Sequence, residues 1–223
     1  MKHPVIKRLL QITVQTAVIL AVLFLSAGRI NWLWPWVYLV VATALVGVAA
    51  LILPPELIAE RAQPKEGVKP WDKRLTSLLL PLSIALFVTI GLDERFGWSP
   101  DLAPWLHMLG FALMSIMQLF FTWAMASNKF FSTLVRIQTD RGHTVQTGGP
   151  YRYIRHPGYL TLSLTWMAIS VALGSLWGLI PAALIGAIYV VRTALEDHTL
   201  QEELPGYKEY AQQVRYRLLP GIW

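Results

Sequence analysis

The chain of 223 residues contains no cysteine. That excludes a disulfide framework, cysteine-ligated zinc and thiol nucleophiles. Charge is also scarce: Asp, Glu, Lys and Arg together make up 14%, whereas about a quarter is usual in soluble domains. The histidines His3, His107, His143, His156 and His198 show no metal-ligand spacing, so no metal is expected. Internal repeats and low-complexity tracts are missing too, which excludes solenoids and disordered polar tails.

Apolar residues fill the space left by charge. They account for 55% of the chain and fall into runs long enough to cross a bilayer. The expected fold is therefore all-α: a polytopic integral-membrane helical bundle of about six transmembrane helices. The runs are Leu9 to Ala27, Trp32 to Leu53, Leu75 to Leu92, Ala103 to Met125, Tyr159 to Leu173 and Leu176 to Val191. A basic start before the first run also suits a signal peptide with Ser26-Ala27-Gly28 as its cleavage site. The run is longer than a signal core and more spans follow, so a retained helix is expected. The last two runs are joined by Gly174-Ser175 and read as a helical hairpin. Pro54-Pro55 ends the second run, and the pattern to Arg61 suggests a short interfacial helix. Pro81 predicts a kink in the third span. His107 and Gln118 within the fourth are expected to bond neighbouring helices. Arg192 to Tyr216 reads as a helical segment on the cytoplasmic side, broken at Pro205-Gly206.

The net charge of +6 is explained by where the basic residues fall. Six spans put the N-terminus, Glu56 to Arg74, Ser127 to Tyr159 and the tail on one side. Those regions hold every Lys and Arg except Arg29 and Arg95. Basic loops mark the cytoplasmic face. The expected location is thus an integral membrane, the inner membrane in a bacterium, with both termini cytoplasmic and no nucleic-acid partner. Two units are expected: residues 1–126 as a four-span scaffold, and residues 127–223 as a catalytic region with a cytoplasmic loop, the hairpin and a C-terminal cap.

Two polar clusters meet at the base of the hairpin. One runs from Gln138 to Tyr159 and contains Gly149-Pro150-Tyr151 and Arg155-His156-Pro157-Gly158-Tyr159. The other begins at Arg192 and holds Glu196, Asp197, Glu202 and Glu203. Arg192 and Glu196 are four apart on a helix, share a face and are expected to pair. Tyr153 and Arg152 read as interface residues.

With Tyr207, Tyr210, Val214 and Pro220, these residues resemble the isoprenylcysteine carboxyl methyltransferase family, integral-membrane methyltransferases related to phospholipid methyltransferases. The resemblance covers about Asn128 to Pro220. It implies an S-adenosylmethionine-dependent methyltransferase with a cytoplasm-facing pocket capped by the C-terminal segment. It implies cofactor contacts from Gln138, Tyr151, Arg155, His156, Tyr159 and Glu196. Arg192 and Glu196 become the catalytic residues, with Arg192 orienting an acidic acceptor. The resemblance further implies a lipophilic acceptor that enters sideways from the membrane. A carboxylate acceptor is already a nucleophile, and guanidinium grips it by two parallel hydrogen bonds. An amine acceptor would also need a base, for which Glu196 is the candidate. The chain departs from the family at Asp197, where a second glutamate is usual, and the shorter side chain predicts an altered contact there. Arg-His-Pro-x-Tyr, with Tyr216-Arg217-Leu218-Leu219-Pro220, also looks similar to NADPH-dependent membrane sterol reductases, which are longer. A non-enzymatic membrane binding protein is the third reading.

Overall fold

The computed structural model describes residues 2–61 and 66–223, apart from the side chains of residues 2–5 and Glu60. The basic residue Lys65 and the side chains of the basic start Lys2-His3 lie outside that description. Every described element is helical: α1 (Lys2–Ala27), α2 (Leu33–Ile52), α3 (Pro55–Glu60), α4 (Pro70–Phe96), α5 (Pro104–Ala126), α6 (Pro157–Ala172), α7 (Leu179–Glu203) and α8 (Tyr207–Gln213), with two short 3-10 turns between α5 and α6. Four of these begin with proline in the first turn. Proline fits there because its missing N–H would have no intrahelical partner anyway.

Among the described residues five helices are long and apolar enough to cross a membrane: residues 6–27 of α1, then α2, α4, α5 and α7. The expectation of six is corrected at α6. Its 16 residues span about 24 Å at ~1.5 Å per residue, short of the ~30 Å hydrocarbon core. Pro157 fixes its start, and Gly174 at φ 88° turns the chain into α7. Both ends of the hairpin still reach opposite ends of the bundle. At one end Ser175 bonds Asp93 near the close of α4, and Ser99 between α4 and α5 donates to the same carboxylate at 2.7 Å. At the other, Arg192 of α7 meets Asp72 in the first turn of α4.

The apolar stripes sort themselves by neighbour. Leu23, Leu86, Ile90, Ile185 and Leu173 are fully buried where α1, α4, α6 and α7 meet. Leu10, Val14, Leu25, Leu51, Leu80 and Ile116 point outward, as lipid-facing positions must when the solvent is hydrocarbon. Close approach depends on two glycines. A Cβ on Gly91 would lie 2.8 Å from the Leu23 carbonyl, and one on Gly110 would lie 2.4 Å from the Ala172 nitrogen. Larger residues at either position would force α1 from α4, or α5 from α6. His107 behaves as expected of a polar residue in a span: Nδ1 lies 3.0 Å from the Ala172 carbonyl and the ring stacks on Trp34 at 3.9 Å. α3 is the expected short helix after Pro54-Pro55. α4 runs through Pro81 as one unbroken helix.

α7 continues for about three turns past Val191, the end expected from its apolar run. This extension carries Arg192, Glu196 and Asp197 beyond the apolar core. Pro205-Gly206 stops it, as expected, and α8 follows.

Candidate functional site

The extension of α7 forms one wall of a cavity of about 310 Å³, within the size range of small-molecule sites. Tyr189, Arg192, Glu196 and Leu200 line it; at these spacings they share one helix face. The remaining walls come from the loop before α6, from α8, and from the ends of α3, α4 and α5. All seven residues picked out in the sequence line this one cavity: Gln138, Tyr151, Arg155, His156, Tyr159, Arg192 and Glu196. Their roles within it differ.

Glu196 and Tyr159 face each other, the Tyr159 hydroxyl donating to Oε2 of Glu196. Tyr159 also stacks on His156 at 5.9 Å and on Tyr189 at 5.8 Å. This places an anionic oxygen within an aromatic surround.

Arg192 does not pair with Glu196. Its Nε donates to Asp72 Oδ1 at 2.6 Å, and its Nη2 donates to Asp72 Oδ2 at 3.0 Å and to the Thr133 carbonyl at 2.8 Å. The physical reason is geometric: a planar fork meets a carboxylate best in bidentate fashion, and Asp72 is wholly buried against it. Asp72 Oδ2 also accepts the Val135 N–H at 2.7 Å. Arg192 thus locks α7 to α4, and its guanidinium lies over the Tyr159 ring at 5.1 Å.

Asp197 is a hub. It accepts from Arg155 through Nε and Nη2 at 2.7 and 3.0 Å, from Tyr207 at 3.0 Å, from Gln201 at 2.8 Å and from Arg217 at 2.9 Å, and lies 3.2 Å from His156 Nε2. Through Arg155 and Arg217, Asp197 ties the tail to α7. Arg155 Nη1 reaches the Val214 and Arg215 carbonyls at 2.7 and 2.8 Å. The Arg155 and His156 N–H groups donate to the Tyr216 and Arg217 carbonyls, each at 2.9 Å. Arg155 is therefore committed to stitching the C-terminal segment over the cavity.

Gln138 is buried and similarly committed. Its Nε2 donates to the Phe130 carbonyl at 2.5 Å and its Oε1 accepts from Arg141 at 2.7 Å. It shapes the loop between α5 and α6. Tyr151 is anchored from both sides, its hydroxyl accepting from Asn128 at 3.3 Å and its carbonyl from Tyr210 at 2.7 Å. Burial pushes the Tyr151, Tyr207 and Tyr210 hydroxyls upward, so they remain donors. Tyr153 is 66% exposed, as an interface residue should be.

Sequence reasoning passed over Asp72, His143 and Arg61. An acid in the first turn of a helix is ordinary dipole complement, so Asp72 carried no signal. His143 lines the cavity beside Phe130, and its Nδ1 accepts the Gln138 N–H at 3.3 Å. Burial, then the charges of Arg136 and Arg141, lower its pKa from 6.5 to about 4. The sign follows by linkage. Above pH 6.5 neither state holds the proton; as pH falls, the unfolded chain gains it first, so stability is lost between about 6.5 and about 4. In detergent-solubilised protein, the melting temperature should fall across that window, and His143→Gln should flatten the fall. Equal slopes in both proteins would refute the assignment.

Residues 105–205 match the model of the phospholipid methyltransferase family. No curated protein sequence matches the chain significantly. The matched stretch runs from α5 through α7 and takes in Gln138, Arg155, His156, Tyr159, Arg192 and Glu196. The match fits an integral-membrane methyltransferase family related to phospholipid methyltransferases.

Proposed function

We propose that the cavity binds S-adenosylmethionine and that the chain methylates a lipophilic acceptor at the cytoplasmic face of a membrane. One observation carries the reading: the Arg-His-Pro-x-Tyr loop and the α7 extension, which the resemblance treats as one site, meet and line a single cavity. When bound, the cofactor supplies a methyl group on a sulfonium, open to in-line attack. The residues present suit such a guest. Glu196 offers an anion, and the Tyr159 and Tyr189 rings offer faces that favour a cation. His156 is held upright by Asp197 and Tyr207 (the latter 3.3 Å away) as a polar partner at the cavity wall. Gln138 and Arg155 act indirectly, by holding the loop and the tail.

The chain's own work is alignment and exclusion of water, which lowers the barrier by orientation. Tyr207 and Tyr210 of α8 line the cavity beside Leu204. Phe121, Phe131 and Leu162 give the lining an apolar portion, suited to an apolar chain arriving from the bilayer. Orientation of this face toward the cytoplasm rests on the clustering of Lys and Arg.

Arg192 supports a carboxylate acceptor, which needs no base. With Nε and Nη2 bonded to Asp72 and Thr133, Nη1 is its remaining donor among the described residues. An amine acceptor is the second reading, favoured by Glu196 on the same wall as a proton acceptor and by the phospholipid methyltransferase match.

The test is transfer of labelled methyl from S-adenosylmethionine to a lipid extract by purified protein. Label in the organic phase, released by mild base for an ester and retained for an amine, supports the reading and chooses between acceptors. Absence of label in every lipid fraction counts against it. Glu196→Ala and His156→Ala should each weaken S-adenosylhomocysteine binding by about tenfold or more, the usual scale for a charge-assisted hydrogen bond. If both bind as wild type does, the cofactor lies elsewhere.

A further inference from the structure

We propose that Arg61 forms an anion subsite at the apolar portion of the cavity, binding the acidic head group of an amphiphilic methyl acceptor. The inference rests on the methyltransferase reading of that cavity and names the acceptor's chemistry. Arg61 follows α3 and lines the cavity. Its guanidinium carbon lies 5.6 Å from the ring centroids of both Phe121 and Phe131. Its Nη1 is buried and has no hydrogen-bond partner among the described residues.

The surroundings make this unusual for a structural arginine. Asp72, the buried acid in the first turn of α4, is already taken by Arg192. Burial first, and then repulsion from Arg8 and Arg192, lower the pKa of Arg61 to about 10, so it stays charged at neutral pH. A buried guanidinium nitrogen with no acceptor among the described residues is costly, whereas the same cation facing a cavity gains strongly from an incoming anion. Arg192 Nη1 supplies a second donor on that cavity.

The walls beside Arg61 say what carries the anion. Phe121, Phe131, Leu79 and Leu162 are apolar, as an alkyl chain requires. On α7, Arg192 stands one turn from Glu196, about 6 Å along the axis at ~1.5 Å per residue. A carboxylate held at the arginines is then itself the reacting group, one turn from Glu196, whereas a head-group phosphate held there places a reacting amine on the Glu196 side. A phosphate within a lipid head group and a terminal carboxylate share this chemistry.

Calorimetry on the full chain in an uncharged detergent tests it, using dodecyl phosphate, dodecanoate, dodecyltrimethylammonium and inorganic phosphate, with S-adenosylhomocysteine in parallel. One or both anionic amphiphiles should bind more tightly than the cation and than inorganic phosphate; the tighter of the two identifies the acid. Arg61→Gln should weaken that binding by about tenfold or more and leave S-adenosylhomocysteine affinity unchanged, which also shows the variant is folded. Arg61→Lys should recover part of the loss. Equal anion affinity in wild type and Arg61→Gln overturns the proposal. So does loss of S-adenosylhomocysteine binding in Arg61→Gln, which would assign Arg61 to the cofactor, or binding of inorganic phosphate as tight as dodecyl phosphate. If the wild type binds the anionic amphiphile through Arg61 but no S-adenosylhomocysteine, the methyltransferase reading fails and the anion subsite stands.

Discussion

Asp197→Ala should lower stability by about 3–5 kcal/mol, because it leaves the buried Arg155, and the partly exposed Arg217, without their carboxylate. Arg155 and Arg217 both end on Asp197, with Tyr207, Gln201 and His156 around it. The loss should be local as well as global. With the hub gone, the tail keeps the backbone bonds from Arg155 and His156, but the Arg155 side chain that reaches Val214 and Arg215 loses the carboxylate that orients it, and trypsin should cut sooner after Arg215 and Arg217. Cofactor affinity should fall together with tail protection, since Tyr207 and Tyr210 line the cavity. Asp197→Asn keeps the acceptor oxygen and should lie between. A variant with wild-type melting and wild-type protease resistance would show that the tail is held some other way.

Arg192→Met should be comparably damaging, and its repair should be informative. It strands Asp72, which is 0% exposed, as an unpaired buried charge worth about 3–5 kcal/mol. Adding Asp72→Leu removes that charge, and replacement of a buried ion pair by apolar residues is often neutral in stability. The double variant should therefore recover most of the melting temperature. It should not recover turnover if, as proposed, Nη1 of Arg192 holds the acceptor. Recovery of both would reduce Arg192 to a strut between α4 and α7. Recovery of neither would mean that the pair also sets the path of the chain through Thr133 and Val135.

The same two residues show what the sequence made legible. Five of the six expected spans followed from apolar length, since lipid admits only helices or closed barrels; α6 is too short to count as the sixth. The juxtaposition of the Arg155–Tyr159 loop with α7 followed from the tight turn at Gly174-Ser175, because a short hairpin must return to where it began. The partner of Arg192 did not follow. Local spacing favoured Glu196, four residues away, but the actual carboxylate is Asp72, on a different helix and 120 positions earlier. Nothing local distinguishes it from an ordinary first-turn acid. Nor does composition reveal that Arg155 is turned toward Asp197 and the tail rather than into the cavity. Such assignments depend on which long-range donor reaches a buried carboxylate first, and that is settled only once the helices have packed. The scaffold half is not a bystander either: Arg61, Thr76, Leu79 and Phe121 precede residue 127 and line the cavity.

The central claim is that this cavity holds S-adenosylmethionine between the loop before α6 and the face of α7. Calorimetric titration of the purified full chain with S-adenosylhomocysteine, and separately with NADPH, tests it most directly. Binding of S-adenosylhomocysteine at one site per chain, weakened by Glu196→Ala, with no heat from NADPH, is the predicted result. Binding of NADPH without S-adenosylhomocysteine would contradict the claim and turn the same cavity into a reductase site.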